Sequence, residues 1–109
     1  MIQVIVEKQN ENIVAFHMKG HSGYAEHGSD IICSAVSALA INCVNSIEQF
    51  TDDVFTVEQE EKSGMLACRF DGVISEQSKL LMNSFVLGLE GISKQYGKQY
   101  VTVEIVRRK

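Results

Sequence analysis

The sequence predicts an α+β layered domain, a five-stranded sheet packed with two helices in the order ββ-α-ββ-α-β. Three observations predict it. Apolar residues alternate with polar ones in five short stretches and recur at steps of three and four in two long ones. Hydrophobic residues make up 45% of the 109 residues and charged residues 22%, the balance of an ordinary globule. Proline is absent and no Gly/Ser-rich or single-charge tract is long enough to be a linker, so a single domain is expected over 1–109. By area scaling, folding should reduce the surface from about 17,500 to about 6,000 Å², enough burial for a core without staples.

The elements follow in order. From Ile2 to Glu7 and from Ile13 to Lys19, alternation puts Ile2, Val4 and Val6, then Val14, Phe16 and Met18, on one side; the polar run Gln9-Asn10-Glu11-Asn12 between them makes a β-hairpin. From Asp30 to Phe50 the stripe Ile32, Val36, Leu39, Cys43, Ile47 and Phe50 marks a helix, with Asp30 as its N-cap. A second hairpin joins Val54–Gln59 to Met65–Phe70 through a turn at 60–64, with Leu66, Cys68 and Phe70 inward. Ser75 caps a second helix with the stripe Leu81, Phe85, Leu89, Ile92 and Tyr96, and Gly97 is expected to end it as an αL residue. The last strand spans Tyr100 to Val106, with Val101, Val103 and Ile105 inward. The Glu58–Glu61 run reads as a solvated hairpin end and the Arg107-Arg108-Lys109 tail as a frayed terminus.

Composition narrows the function. Ten Lys and Arg against fourteen Asp and Glu give a net charge of −4, the wrong sign for a surface that tracks nucleic-acid phosphates and the right one for a basic partner. Cys33, Cys43 and Cys68 match neither a CxxC pair nor a disulfide framework, and no signal peptide precedes them, so a reducing cytoplasm is the expected compartment. The richest apolar stretch, Ile31 to Val44, is broken by Ser34, Ser37 and Asn42, so no membrane span is expected.

One stretch exceeds what a fold needs. The loop from Gly20 to Asp30 holds three of the eight glycines and two of the three histidines, and connections of that length tend to be functional. Gly20, Ser22, Gly23, Tyr24 and Gly28 are its candidate substrate-facing residues, expected to be mobile until a peptide orders them. Gly20 and Gly23 should leave backbone open around His21 for an extended peptide. With Asp30 as N-cap, Cys33 is the third helical residue, where N–H groups and the positive end of the macrodipole stabilise a thiolate. His21, twelve positions earlier, could fold back as the base of a Cys–His pair. Asp30 either caps the helix or orients that imidazole.

Blander readings stand beside this one. A cysteine near a helix start is often a small buried hydrophobe. Zinc on His21, His27 and Cys33 lacks a recognised spacing and a fourth ligand. Cys43 and Cys68 fall on core stripes and read as inert, and His17 alternates to the outer face. A module that holds a peptide without cutting it is the main rival to an enzyme.

The run Gly20-His21-Ser22-Gly23-Tyr24-Ala25, followed by Gly28-Ser29-Asp30-Ile31-Ile32-Cys33-Ser34-Ala35-Val36-Ser37, resembles the signature of the Prp, or YsxB-like, family of ribosomal-processing cysteine proteases. The likeness extends over the whole chain. It implies that Cys33 is the nucleophile, His21 its base, and Asp30 the acidic residue ahead of the cysteine; no role carries over to His27. It further implies a cofactor-independent homodimer that removes the N-terminal extension of a bacterial large-subunit ribosomal protein, number twenty-seven. That extension has paired aromatic residues before the cut, and the mature protein beyond it is basic. The alternative is a non-catalytic ribosome-assembly or peptide-binding module.

Overall fold

Alternating side chains build the first hairpin, β1 (Ile2–Gln9) and β2 (Asn12–Lys19), which pair antiparallel. Asn10 and Glu11, both at positive φ, form its two-residue turn. The computed structural model describes residues 1–26 and 30–108. β2 leads through the loop to α1 (Ile31–Phe50), then come β3 (Phe55–Glu60), β4 (Met65–Phe70), α2 (Glu76–Tyr96) and β5 (Val101–Arg108). The five strands form one sheet in the order β3-β4-β2-β1-β5, with β1 and β5 parallel and the other pairs antiparallel. The predicted α+β class and element order are those observed.

The core lies between one face of the sheet and the two helices. Ile2, Val4, Val6, Phe16 and Met18 meet Ile32, Val36, Ala40 and Ile47 of α1 and Met82, Phe85 and Leu89 of α2. Phe16 and Phe85 put their rings 4.6 Å apart, pinning α2 to the central strand. Ser75 caps α2 by accepting from the Ser78 N–H at 3.2 Å, and Asp53 accepts in turn from the Ser75 N–H at 3.0 Å and hydroxyl at 2.8 Å.

Several sequence expectations shift by a position. A bulge in the β1–β2 ladder opposes Glu7 to Ala15 and Lys8 to Ile13, so Val14 is the extra residue and Ile13 takes the inward place expected of Val14. In α1 Ala40 is buried, Leu39 only partly so, and Phe50 is exposed because it ends the helix. In α2 the buried set is Ser78, Met82, Phe85, Val86 and Leu89; Leu81, Ile92 and Tyr96 flank it. Ile105 is 42% exposed because β5 is an edge strand. Gly97 ends α2 at φ 113°, ψ 154°, a glycine-only conformation other than αL. Arg107 and Arg108 belong to β5 instead of fraying, and they pair with Glu11 and Glu7. α1 is also long and apolar enough, by length and composition, to cross a membrane, contrary to expectation; here it is a core helix with five buried residues.

Leu89 and Leu87 separate core from surface on a single helix. Leu89→Ala, at a fully buried site, is expected to destabilise by about 2–5 kcal/mol. Leu87→Ala, at a site 72% exposed, is expected to change stability by no more than about 0.5 kcal/mol. Urea titration of both variants measures the contrast.

Candidate active site

The central strand β2 ends at Lys19, and the next two residues are fixed from two sides. The Gly20 N–H donates to the Ser63 carbonyl at 3.0 Å. Gly20 has φ 93°, and a Cβ on it would run into the carbonyl oxygen of Met1. Its missing side chain thus admits the start of β1, where openness to a peptide was expected; among the described residues nothing lies within 4 Å of a Cβ added at Gly23. The ring of His21 is exposed, and its Nε2 donates to the carbonyl oxygen of Lys62 at 3.1 Å, in the turn between β3 and β4. Its own carbonyl accepts from the Met1 nitrogen at 2.5 Å.

Ser22 is only 2% exposed, so its side chain faces inward. Its hydroxyl donates to Asp30 Oδ2 in a short bond and accepts from the Tyr24 N–H at 3.1 Å. The Ser22 N–H points at Cys33 Sγ, 3.2 Å away. Tyr24 is 45% exposed and lies edge-on to Tyr100 and Tyr96, with ring centroids 5.3 and 6.0 Å away.

Asp30 is the N-cap of α1. Its Oδ1 accepts from the Ile32 and Cys33 N–H groups, each at 3.0 Å, while Oδ2 is held by Ser22. Burial by itself pushes this carboxyl up, but the Ser22 hydroxyl, the Cys33 N–H and thiol, and the Ile32 N–H outweigh it and bring it from 3.8 down to about 2. Of the two sequence options for Asp30, the geometry is that of the cap. Cys33 is partly buried in the first turn of α1, as expected. Burial pushes the Cys43 thiol up to about 12, helped by Cys68, and the Cys68 thiol up to about 11, helped by Asp71. Both are held as unreactive thiols inside the core.

The structure therefore brings Ser22, Asp30 and Cys33 into one hydrogen-bonded group and seats His21 against the β3–β4 turn. Gly28, and His27 of the zinc alternative, lie outside the described residues. Among the described residues no three His, Cys, Asp or Glu side chains cluster to hold a metal ion. Beside His21 a groove of about 150 Å³ is lined by Met18, Ile41, Met65 and Leu66, with Glu60 and Glu61 at its rim. Sequence reasoning missed Lys62 and Gly64 here, because hairpin residues forty positions from the loop carry no local signal of their contact with it.

The depressed Asp30 carboxyl makes stability depend on pH. A folded value of about 2 against 3.8 means that the ionised form stabilises the fold above about pH 4, and that this contribution, about 2 kcal/mol, fades as pH falls through about 2. Asp30→Asn keeps a capping side chain without the charge. The stability gap between wild type and Asp30→Asn is expected to shrink by about that amount between pH 5 and pH 2, as read by urea unfolding across pH.

Residues 1–102 match the family model described as cysteine protease Prp. The ribosomal processing cysteine protease Prp of Bacillus subtilis is 28% identical over 101 residues, covering 88% of this chain and 90% of that protein. The Prp of Staphylococcus aureus is 25% identical, covering 74% and 76%. A crystal structure of the S. aureus essential ribosomal processing protease Prp with a covalently linked product peptide superposes with a TM-score of 0.91, at 22% identity, over 97% of this chain and all of that one. SMU.848 from Streptococcus mutans superposes with a TM-score of 0.84, at 28% identity, over 99% and 96%. The chain belongs to the Prp family of cysteine proteases.

Proposed function

We propose that this chain is a cysteine endopeptidase in which Cys33 is the nucleophile and His21 its base. Its proposed substrate is the short N-terminal extension of a bacterial large-subunit ribosomal protein, number twenty-seven. The reading includes work in the reducing cytoplasm, as a homodimer and without a cofactor. One observation carries the chemistry: Cys33 stands in the first turn of α1 with a backbone N–H, that of Ser22, aimed at its sulfur. The thiolate is the attacking species of a cysteine protease.

The steps follow from the side chains. The Lys62 carbonyl can only accept, so the proton of neutral His21 sits on Nε2 and the lone pair on Nδ1. His21 takes the thiol proton, and Cys33 Sγ forms a bond to the scissile carbonyl carbon. The tetrahedral adduct collapses, the C–N bond breaks, and His21 gives its proton to the leaving amine. Water, deprotonated by His21, then cleaves the thioester and restores the thiol. Asp30 takes no proton in this scheme; it positions Cys33 by capping the helix that bears it and by its contact with the Cys33 thiol.

The groove beside His21 supports the substrate assignment. Its apolar wall suits an apolar or aromatic side chain, and its Glu60 and Glu61 rim, with the net charge of −4, suits a basic segment. The relatives named as ribosomal processing proteases point the same way.

Incubation with the candidate ribosomal protein, followed by mass measurement of both fragments, tests the reading. Cys33→Ala is expected to abolish cleavage while remaining folded, and Cys33→Ser to be nearly as poor. His21→Ala is expected to lose about 10²- to 10⁴-fold. In the wild type a thiol alkylating agent should label Cys33 and spare Cys43 and Cys68; equal labelling with no cleavage favours a peptide-holding module, and full cleavage by a folded Cys33→Ala overturns Cys33 as the nucleophile. Replacing both aromatics before the cut by Ala is expected to lower kcat/KM by at least about tenfold, measured on paired peptides.

A further inference from the structure

We propose that the turn between β3 and β4 is the positioning element of His21, and that Gly64 is the residue that allows it to dock. The inference rests on His21 being the base of Cys33. Three backbone features of this turn converge on the two residues that follow β2. The Ser63 carbonyl accepts from the Gly20 N–H at 3.0 Å. The Lys62 carbonyl accepts from His21 Nε2 at 3.1 Å. Gly64 lies so close that a Cβ on it would overlap the Gly20 carbonyl oxygen and stand 3.3 Å from His21 Cε1. Gly64 also has φ 70°, and its N–H closes the turn onto the Glu61 carbonyl at 3.1 Å.

A nucleophile and its base generally need a third group that orients the base. Asp30, the obvious acidic candidate, has Oδ1 on two helix N–H groups and Oδ2 on Ser22. The Lys62 carbonyl takes that place with two differences. It carries no charge, so its contact with the ring is a hydrogen bond that sets orientation and tautomer. It is backbone, so it cannot turn away by changing rotamer, and its position is set by how closely residues 62–64 approach 20–21. Gly64 is a positioning residue for that reason, 43 places beyond the histidine it serves.

The test compares wild type, Gly64→Ala, Gly72→Ala and His21→Ala on an internally quenched peptide spanning the proposed extension and cut site. It adds ¹H–¹⁵N spectra of the imidazole of wild type and Gly64→Ala above the pH at which the ring titrates. Gly72 is the control, since its φ is unremarkable and, among the described residues, nothing lies within 4 Å of an added Cβ. Gly64→Ala is expected to lower kcat at least about tenfold with KM within about twofold, the signature of a disturbed base. Gly72→Ala should match wild type. The wild-type His21 spectrum should show the proton on Nε2, and Gly64→Ala a mixture of tautomers. A wild-type ring protonated on Nδ1, or a folded Gly64→Ala with unchanged kcat, overturns the inference; if Gly64→Ala does not fold, the wild-type spectrum decides. Full cleavage by His21→Ala instead overturns the assignment of His21 as base, whatever tautomer the ring shows.

Discussion

The carboxylate of Asp30 joins two segments that the proposed chemistry needs in one place. A buried charge is tolerated only when its oxygens are met by donors. Here the donors come from the N–H groups of Ile32 and Cys33 on one side and the Ser22 hydroxyl on the other. The first turn of the helix and the loop that follows the central strand are therefore held by the same group. Once Ser22 is fixed, its N–H has one direction, and that direction is the sulfur of Cys33. The sequence neighbours of the cysteine complete the anchorage, since Ile32 and Val36 are wholly buried against the sheet.

The sheet order turns this local knot into a site. β2 lies between β4 and β1, so its end emerges beside both the start of β1 and the turn that begins β4. The loop residues can then lean on Met1 from one flank and on Lys62 and Ser63 from the other. Rigid elements hold a side chain more accurately than a free loop can, and His21 gains that rigidity from three separate strands. The same fold makes opposite uses of one residue type. Cys43 and Cys68 face the core, where burial disfavours a thiolate, whereas Cys33 stands at the edge of the core beside N–H donors.

Much of this was legible in the residues. Asp30 and Ser75 announced the two helix starts because capping is a contact across two or three residues. Alternation in β1 and the stripe through Ile32, Val36 and Ile47 were equally local, as was the expectation that Cys33 would sit in the first helical turn. The places where the reading slipped share a different cause. Val14 lost its inward place to Ile13 through a bulge that exists only in the pairing with β1. Arg107 and Arg108 looked like a loose tail until β5 found β1 as a parallel neighbour about a hundred residues upstream. Gly20 looked like an opening for a peptide because the close approach of Met1 has no trace in the loop itself.

By itself, then, the sequence determined the class of fold, the order of its elements, the helix that carries Cys33 and the motif of the Prp family, since each depends on side-chain periodicity or on contacts a few residues long. Only the tertiary structure decided that Asp30 spends both oxygens on the cap and Ser22, that Ser22 faces inward, and that His21 is held by the backbone of a distant hairpin turn. Those contacts depend on how strands are ordered and how closely backbones approach. Backbone groups are the same at every residue, so no pattern of side chains along the chain can show which of them will meet.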